Sequence, residues 1–161
     1  MTPQEIRDAI TASPELQALV PDTTALASAL SAGRTTFDAV TKFSSLGISE
    51  RFPALGGLPG PLAAELVFQK LEGFAAVAKS SQDPATALLG GATERQMGHL
   101  KASGMAIGSP AVGAMLSVIV SAGALTQAEA DALVSVAAVP APVSEFDVRV
   151  AIYNDDGTLK V

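Results

Sequence analysis

The sequence predicts a mainly α-helical fold: a compact multi-helix bundle of about six to eight short helices with a short C-terminal extended arm or β-hairpin. Three observations predict it. Helix-start signals recur along the chain, stop signals answer them, and the apolar residues between are spaced as on a helix face. A side-chain oxygen just before a helix satisfies free backbone N–H groups, and proline suits the first helical position because its missing N–H would be unpaired anyway. That pair occurs at Thr2-Pro3, Ser13-Pro14, Asp83-Pro84 and Ser109-Pro110. Thr2 with Glu5 and Thr126 with Glu129 add capping boxes, in which an acid three residues on returns a bond to the N–H of the cap. Gly33, Gly47 and Gly123 stand where helices should stop.

From these signals helices are expected at 3–12, 14–20, 23–32, 36–46, 61–80, 84–90, 93–103, 110–122 and 127–138, with one or two merging or dissolving. The span 61–80 carries Leu62, Leu66, Phe68, Leu71 and Phe74 at helical spacing. The span 110–122, with Leu116, Ile119 and Val120, is apolar on nearly every side and should be central. Two stretches break the pattern. Residues 52–61, with three prolines and three glycines, read as a turn-rich connector and the best candidate hinge. Gly90-Gly91 reads as a shorter connector before residue 93.

Past Val139-Pro140-Ala141-Pro142, an extended spacer, the chain is read as a separate arm, so that 1–139 is a helical domain and 140–161 its C-terminal appendage. Val148, Val150 and Ile152 alternate with Arg149 and Ala151, and Asn154-Asp155-Asp156-Gly157 makes a turn before Leu159. This is a β-hairpin pattern. Ser144 with Asp147 could instead cap a short helix reaching Tyr153, and both readings stay open. An isolated hairpin is marginal in water, so an ordered arm must pack on its own body or add to a partner. The candidate contact residues are Phe146, Val148, Val150, Ile152, Tyr153, Leu159 and Val161.

Composition narrows the function. Ten basic residues stand singly against sixteen acidic ones, for a net charge of -6. Nucleic-acid binding rests on clustered phosphate contacts, so nucleic acid is not an expected partner. There are no cysteines, hence no disulfides and no thiolate chemistry. Charged residues make up only 16% of the chain, a fraction low enough to suggest surface covered by neighbours. The N-terminus lacks the basic start and apolar run of a signal peptide. Residues 102–128 carry no charge before Glu129, but glycines and Pro110 interrupt them, and the purely apolar part is about 12 residues where a span needs about 20. A membrane is not expected as a partner.

A search for chemistry finds little. His99 is the only histidine, which removes His-based metal sites and paired-histidine mechanisms. Asp155-Asp156 lies where turn residues are expected and lacks the further oxygen ligands of a calcium loop. Neither Gly-rich segment has the spacing of a phosphate-binding loop. No catalytic residue, cofactor or metal is expected.

Several segments together resemble small uncharacterised proteins of tailed bacteriophages and prophages. They are residues 14–23, continuing through Ala29-Leu30-Ser31-Ala32-Gly33-Arg34-Thr35; then Ala122-Gly123-Ala124-Leu125-Thr126; and the ending from Pro142-Val143-Ser144-Glu145-Phe146 through Ile152-Tyr153-Asn154-Asp155-Asp156-Gly157. The likeness covers roughly half the chain, and the middle, about 37–108, does not share it. It implies a phage origin and a gene of the virion assembly region, and it brings no active residues. The expectation that follows is a non-enzymatic structural protein of the virion (tail, baseplate, neck or head accessory), with other phage structural proteins as partners and a possible homo-oligomer. A non-virion phage protein that binds a host or assembly factor, and a membrane-active protein using residues 102–128, are the alternatives.

Overall fold

A computed structural model describes residues 1–160. It is mainly helical, with α1 Pro3–Ala12, α2 Pro14–Gln17, α3 Thr23–Ser31, α4 Ser45–Arg51, α5 Gly60–Lys79, α6 Pro84–Ser103, α7 Pro110–Ser121, α8 Gln127–Ser135 and α9 Glu145–Ile152. Strands β1 Thr35–Phe37 and β2 Ala138–Pro140 form one small antiparallel sheet. The helix-start chemistry forms as the sequence predicts. Thr2, Ser13, Asp83 and Ser109 each accept an N–H of the first turn, each is followed by its proline, and both capping boxes close.

Several boundaries differ from the sequence reading, each for a local reason. The expected helix at 36–46 does not form. Thr35 and Thr36 enter β1, and the Asp38 carboxylate then captures the N–H groups of Val40 and Thr41 and the Thr41 hydroxyl. Those bonds to its hydrogen-bonding neighbours, the Thr41 hydroxyl foremost, hold the Asp38 carboxyl below its ordinary pKa. The helix starts only at Ser45, capped by Ser44, so Gly47 lies in its first turn instead of ending a helix. The span 14–20 is helical only as far as Gln17, and 127–138 ends at Ser135 before β2. The two expected helices at 84–90 and 93–103 are one, α6, running unbroken through Gly90-Gly91.

Gly90 explains that merger. A Cβ there would sit 2.3 Å from the Lys79 backbone nitrogen and 2.7 Å from the Ala78 carbonyl carbon. The glycine lets α5 and α6 touch backbone to backbone, and it does not mark a break. The 52–61 connector is likewise a packed element. Leu55 and Leu58 pair across Gly56 and Gly57, which hold φ of 59° and 80°, and Phe52 is buried.

The chain divides into two compact units, Met1–Thr36 with the chain from Val139 onward, and Phe37–Ala138. The connector therefore lies inside the second unit. The chain leaves the first unit along β1 and returns along β2, with Asp38 donating to the Ala137 carbonyl and Ala141 donating to that of Arg34. The second unit has α5, α6, α7 and α8 around Val67, Leu71, Leu100, Ile107, Leu116, Ile119 and Leu133. Its polar fastening is Glu129, which is buried, closes the capping box of α8 and receives Lys70 Nζ at 2.6 Å. Burial would raise its carboxyl pKa, but the Lys70 ammonium and the Thr126 N–H and hydroxyl outweigh that and hold it below 4.5.

The first unit has its own core, in which Ile6, Ile10, Leu26 and Leu30 meet Val143, Val148, Ala151 and Ile152. Residues 140–160 are thus not an appendage to a 1–139 body. The Ser31 hydroxyl accepts the Val143 N–H at 2.8 Å, and Arg7 donates to the Ala151 carbonyl at 3.3 Å.

Two outcomes are expected. Gly90→Ala should cost at least about 2 kcal/mol in urea unfolding, because two backbones must part to admit the methyl group. Glu129→Gln keeps the cap but loses the ion pair, whose lysine side is 39% exposed and so is partly screened; the cost should be about 1 kcal/mol at neutral pH. Because the folded-state pKa is lowered, that contribution is complete above about pH 4.5 and disappears as the pH falls through the folded value. Unfolding curves of the two proteins should therefore converge in acid.

Candidate functional site

The C-terminal segment settles into the helical reading. Ser144 caps α9 by accepting the Asp147 N–H at 3.0 Å, and its own hydroxyl donates to the Asp147 carboxylate at 2.6 Å. Glu145 and Asp147 place negative charge at the positive end of the helix dipole. The apolar residues that looked alternating then sort by the helical period. Val148, Ala151 and Ile152 fall on one face and are fully buried in the first unit's core. Phe146 and Val150, four apart, fall on the other and are exposed.

The turn predicted at 154–157 does form. Asn154 N–H donates to the Thr158 carbonyl, Gly157 N–H to that of Asn154, and Gly157 holds φ of 82°. Tyr153 and Leu159 pair across it as a single antiparallel bridge. The Asp156 carboxylate is occupied by the Thr158 hydroxyl and N–H, which hold its pKa below the ordinary aspartate value. Turn closure is thus the role of this acid.

Of the candidate contact residues, the structure brings Phe146, Val150 and Tyr153 together beside an open groove of about 590 Å³. Phe146 is 73% exposed. Leu159 is exposed close by in sequence but does not line the groove. Val148 and Ile152 are corrected to core positions: with no exposed surface they cannot meet a partner without unfolding the unit. Val161 lies outside the described residues. The turn residues Asn154, Asp155 and Gly157 also line the groove, together with Pro21, Thr23, Arg149 and Lys160, which sequence reading passed over as contact residues. Arg149 makes no ion pair among the described residues, and Lys160 Nζ donates to the Val150 carbonyl at 3.1 Å. Arg149 could have been found from its helical spacing, three residues after Phe146. Pro21 could not, because only tertiary packing brings it there.

Elsewhere, His99 is exposed on α6, and the nearby Ser103 hydroxyl donates to the His99 carbonyl. Among the described residues no group of three or more His, Asp or Glu side chains is placed to hold a metal ion. No helix among them is long and apolar enough to cross a membrane. Within 102–128, α7 is twelve residues long and buries Val112, Leu116 and Ile119 in the core of its unit.

Fold and site together describe a mainly helical protein of two compact units, one of which presents an apolar helix face beside a groove lined by Arg149, Lys160 and Asp155. No protein-family model matches the chain, and no curated protein and no solved structure matches it.

The two faces of α9 should separate in mutagenesis. Val148→Ala should cost about 2 kcal/mol of stability, as expected for truncating a fully buried aliphatic side chain. Phe146→Ala should change it by no more than about 0.5 kcal/mol, as for an exposed position. Thermal and urea unfolding of both variants checks the contrast.

Proposed function

We propose that this protein is a non-enzymatic structural component of a tailed-phage particle, in the tail, baseplate, neck or head surface. It acts by protein–protein contact through the outward face of α9. The resemblance of both chain ends to phage proteins supplies the setting, and residues 142–157, which carry part of that resemblance, also build α9 and its turn. The observation that carries the contact reading is Phe146. An aromatic ring held largely in solvent on a well-anchored helix gains little for its own fold, yet aromatics with a nearby arginine are the residues that dominate binding interfaces. Val150 and Tyr153 extend the apolar surface, and Arg149 and Lys160 give it a charged rim.

Anchoring supports the same reading. Val148 and Ile152 fix the inner face of α9, so Phe146 is presented without the ordering cost that a loose arm would bring to binding. The test is mass spectrometry of particles purified from cells that make either the wild-type chain or Phe146→Asp. The wild-type chain should be found in particles at a defined copy number. The variant should fold normally by circular dichroism and fall at least about tenfold in particles, as expected when a hot-spot side chain is lost. Particles that contain no wild-type chain would overturn the proposal.

A further inference from the structure

We infer that the outward face of α5, together with the groove between α5 and α6, is a surface on which a second copy of this chain docks in antiparallel orientation. It lies in the second unit and uses none of the residues of the α9 face. The first observation is where the charges of α5 go. Lys70 is bonded to Glu129 of α8 at 2.6 Å, Glu72 to Lys101 of α6 at 2.6 Å and Lys79 to Glu94 of α6 at 2.7 Å. Glu65 accepts from Gln69 along the helix. Between these side chains runs an outward stripe of Leu62, Leu66, Gln69, Gly73 and Val77 with no charge on it. Leu62 is 59% and Val77 77% exposed. On a chain of net charge -6, this neutral stripe is a place where two copies can approach without like charges meeting.

The second observation is shape. The stripe protrudes at Leu62, Leu66 and Val77 and is recessed between the last two at Gly73. A Cβ on Gly73 would meet nothing within 4 Å. Gly90 is required by a backbone contact inside the unit, but Gly73 has no such neighbour. A glycine weakens a helix interior, and on this open face it leaves room for a neighbour to come close. Beside it, Ala75, Ala76, Met97 and Gly98 floor a groove of about 300 Å³ framed by the two α5–α6 ion pairs. That is room for aliphatic side chains.

With Leu66 on one side of the stripe's midpoint and the Gly73 hollow on the other, the stripe seats each Leu66 in the partner's hollow when the partner runs the opposite way. A two-fold axis near Gln69 sets Leu66 of each copy over Gly73 of the other and Leu62 against Val77. Such a contact is isologous and closes at the dimer. Two 20-residue helices side by side offer a footprint of ~30 Å by ~20 Å, so ~600 Å² per copy and ~1,200 Å² in all, at the lower edge of what a stable dimer buries.

The test uses the full chain. Sedimentation velocity should show a reversible dimer at about 100 µM, consistent with a contact of this size. Leu66→Glu should be monomeric throughout with an unchanged circular-dichroism spectrum, and Gly73→Leu should weaken association at least about tenfold while Phe146→Asp leaves it intact. Because the chain has no cysteine, orientation can be read by cross-linking: Gln69→Cys, next to the axis, should give a covalent dimer on mild oxidation. Leu62→Cys, whose two copies would lie ~20 Å apart, should not. A wild-type chain that stays monomeric, or a dimer that survives Leu66→Glu, would overturn the inference. So would covalent dimer from Leu62→Cys, since a parallel pair brings the two Leu62 positions together as well as the two Gln69 positions.

Discussion

The backbone-to-backbone approach of α5 and α6 at Gly90 is the constraint on which the second unit depends. With no side chain between Gly90 and Ala78–Lys79, the two 20-residue helices lie close enough for Lys79 to reach Glu94 and, nearer the other end of the pair, for Lys101 to reach Glu72. Those exposed bridges add little stability each. Their effect is directional: they draw charge to the seam between the helices and leave an uncharged stripe along the outer surface of α5. The inner surface is free to bury Val67, Phe68, Leu71 and Ala75 against α4, α6 and the packed connector.

The first unit rests on a different arrangement, in which the two ends of the chain share one core. Ile6 and Ile10 from α1 meet Val148 and Ile152 from α9, and the Ser31 hydroxyl fastens the incoming segment at Val143. The apolar content of α9 is thereby divided. Half of it stabilises the fold, and the other half is left on a rigid support. Rigidity matters here because a flexible arm would lose conformational entropy on binding that a docked helix has already given up in folding.

Much of this was legible in the sequence, and the parts that were not share a cause. Cap chemistry is local, so Thr2, Ser13, Asp83, Ser109 and Thr126 could be read directly as helix starts. The mainly helical class followed from them. Glycine is ambiguous by the same logic: Gly33 and Gly123 do take positive φ after a helix, but Gly90 and Gly47 lie within helices. Only the neighbour across the interface separates these uses, and a sequence does not show that neighbour. The stretch 36–46 misled because Asp38 and Ser44 bond to nearby backbone N–H groups in place of a continuing helix. In the C-terminal segment, Val148, Val150 and Ile152 satisfy a period of two over so short a run that a period of 3.6 fits nearly as well. The Ser144–Asp147 cap was the signal that decided it. Of the candidate contact residues, Phe146, Val150 and Tyr153 therefore stand at the groove, while Val148 and Ile152 serve the core.

The path of the chain between the units has a consequence for how the protein is made. Because the chain leaves the first unit along β1 and comes back along β2, the second unit is an insertion within the first. During synthesis the inserted unit is complete as soon as Ala138 has left the ribosome, and it can fold on its own contiguous sequence. The helices α1 and α3 emerge earlier but lack the α9 side of their core until the whole insert has been translated. For that interval Ile6, Ile10, Leu26 and Leu30 are greasy and uncovered. The face that presents Phe146 therefore forms only once translation has passed α9, and a chain that stops between Ala138 and Glu145 has every residue of the insert but lacks that helix.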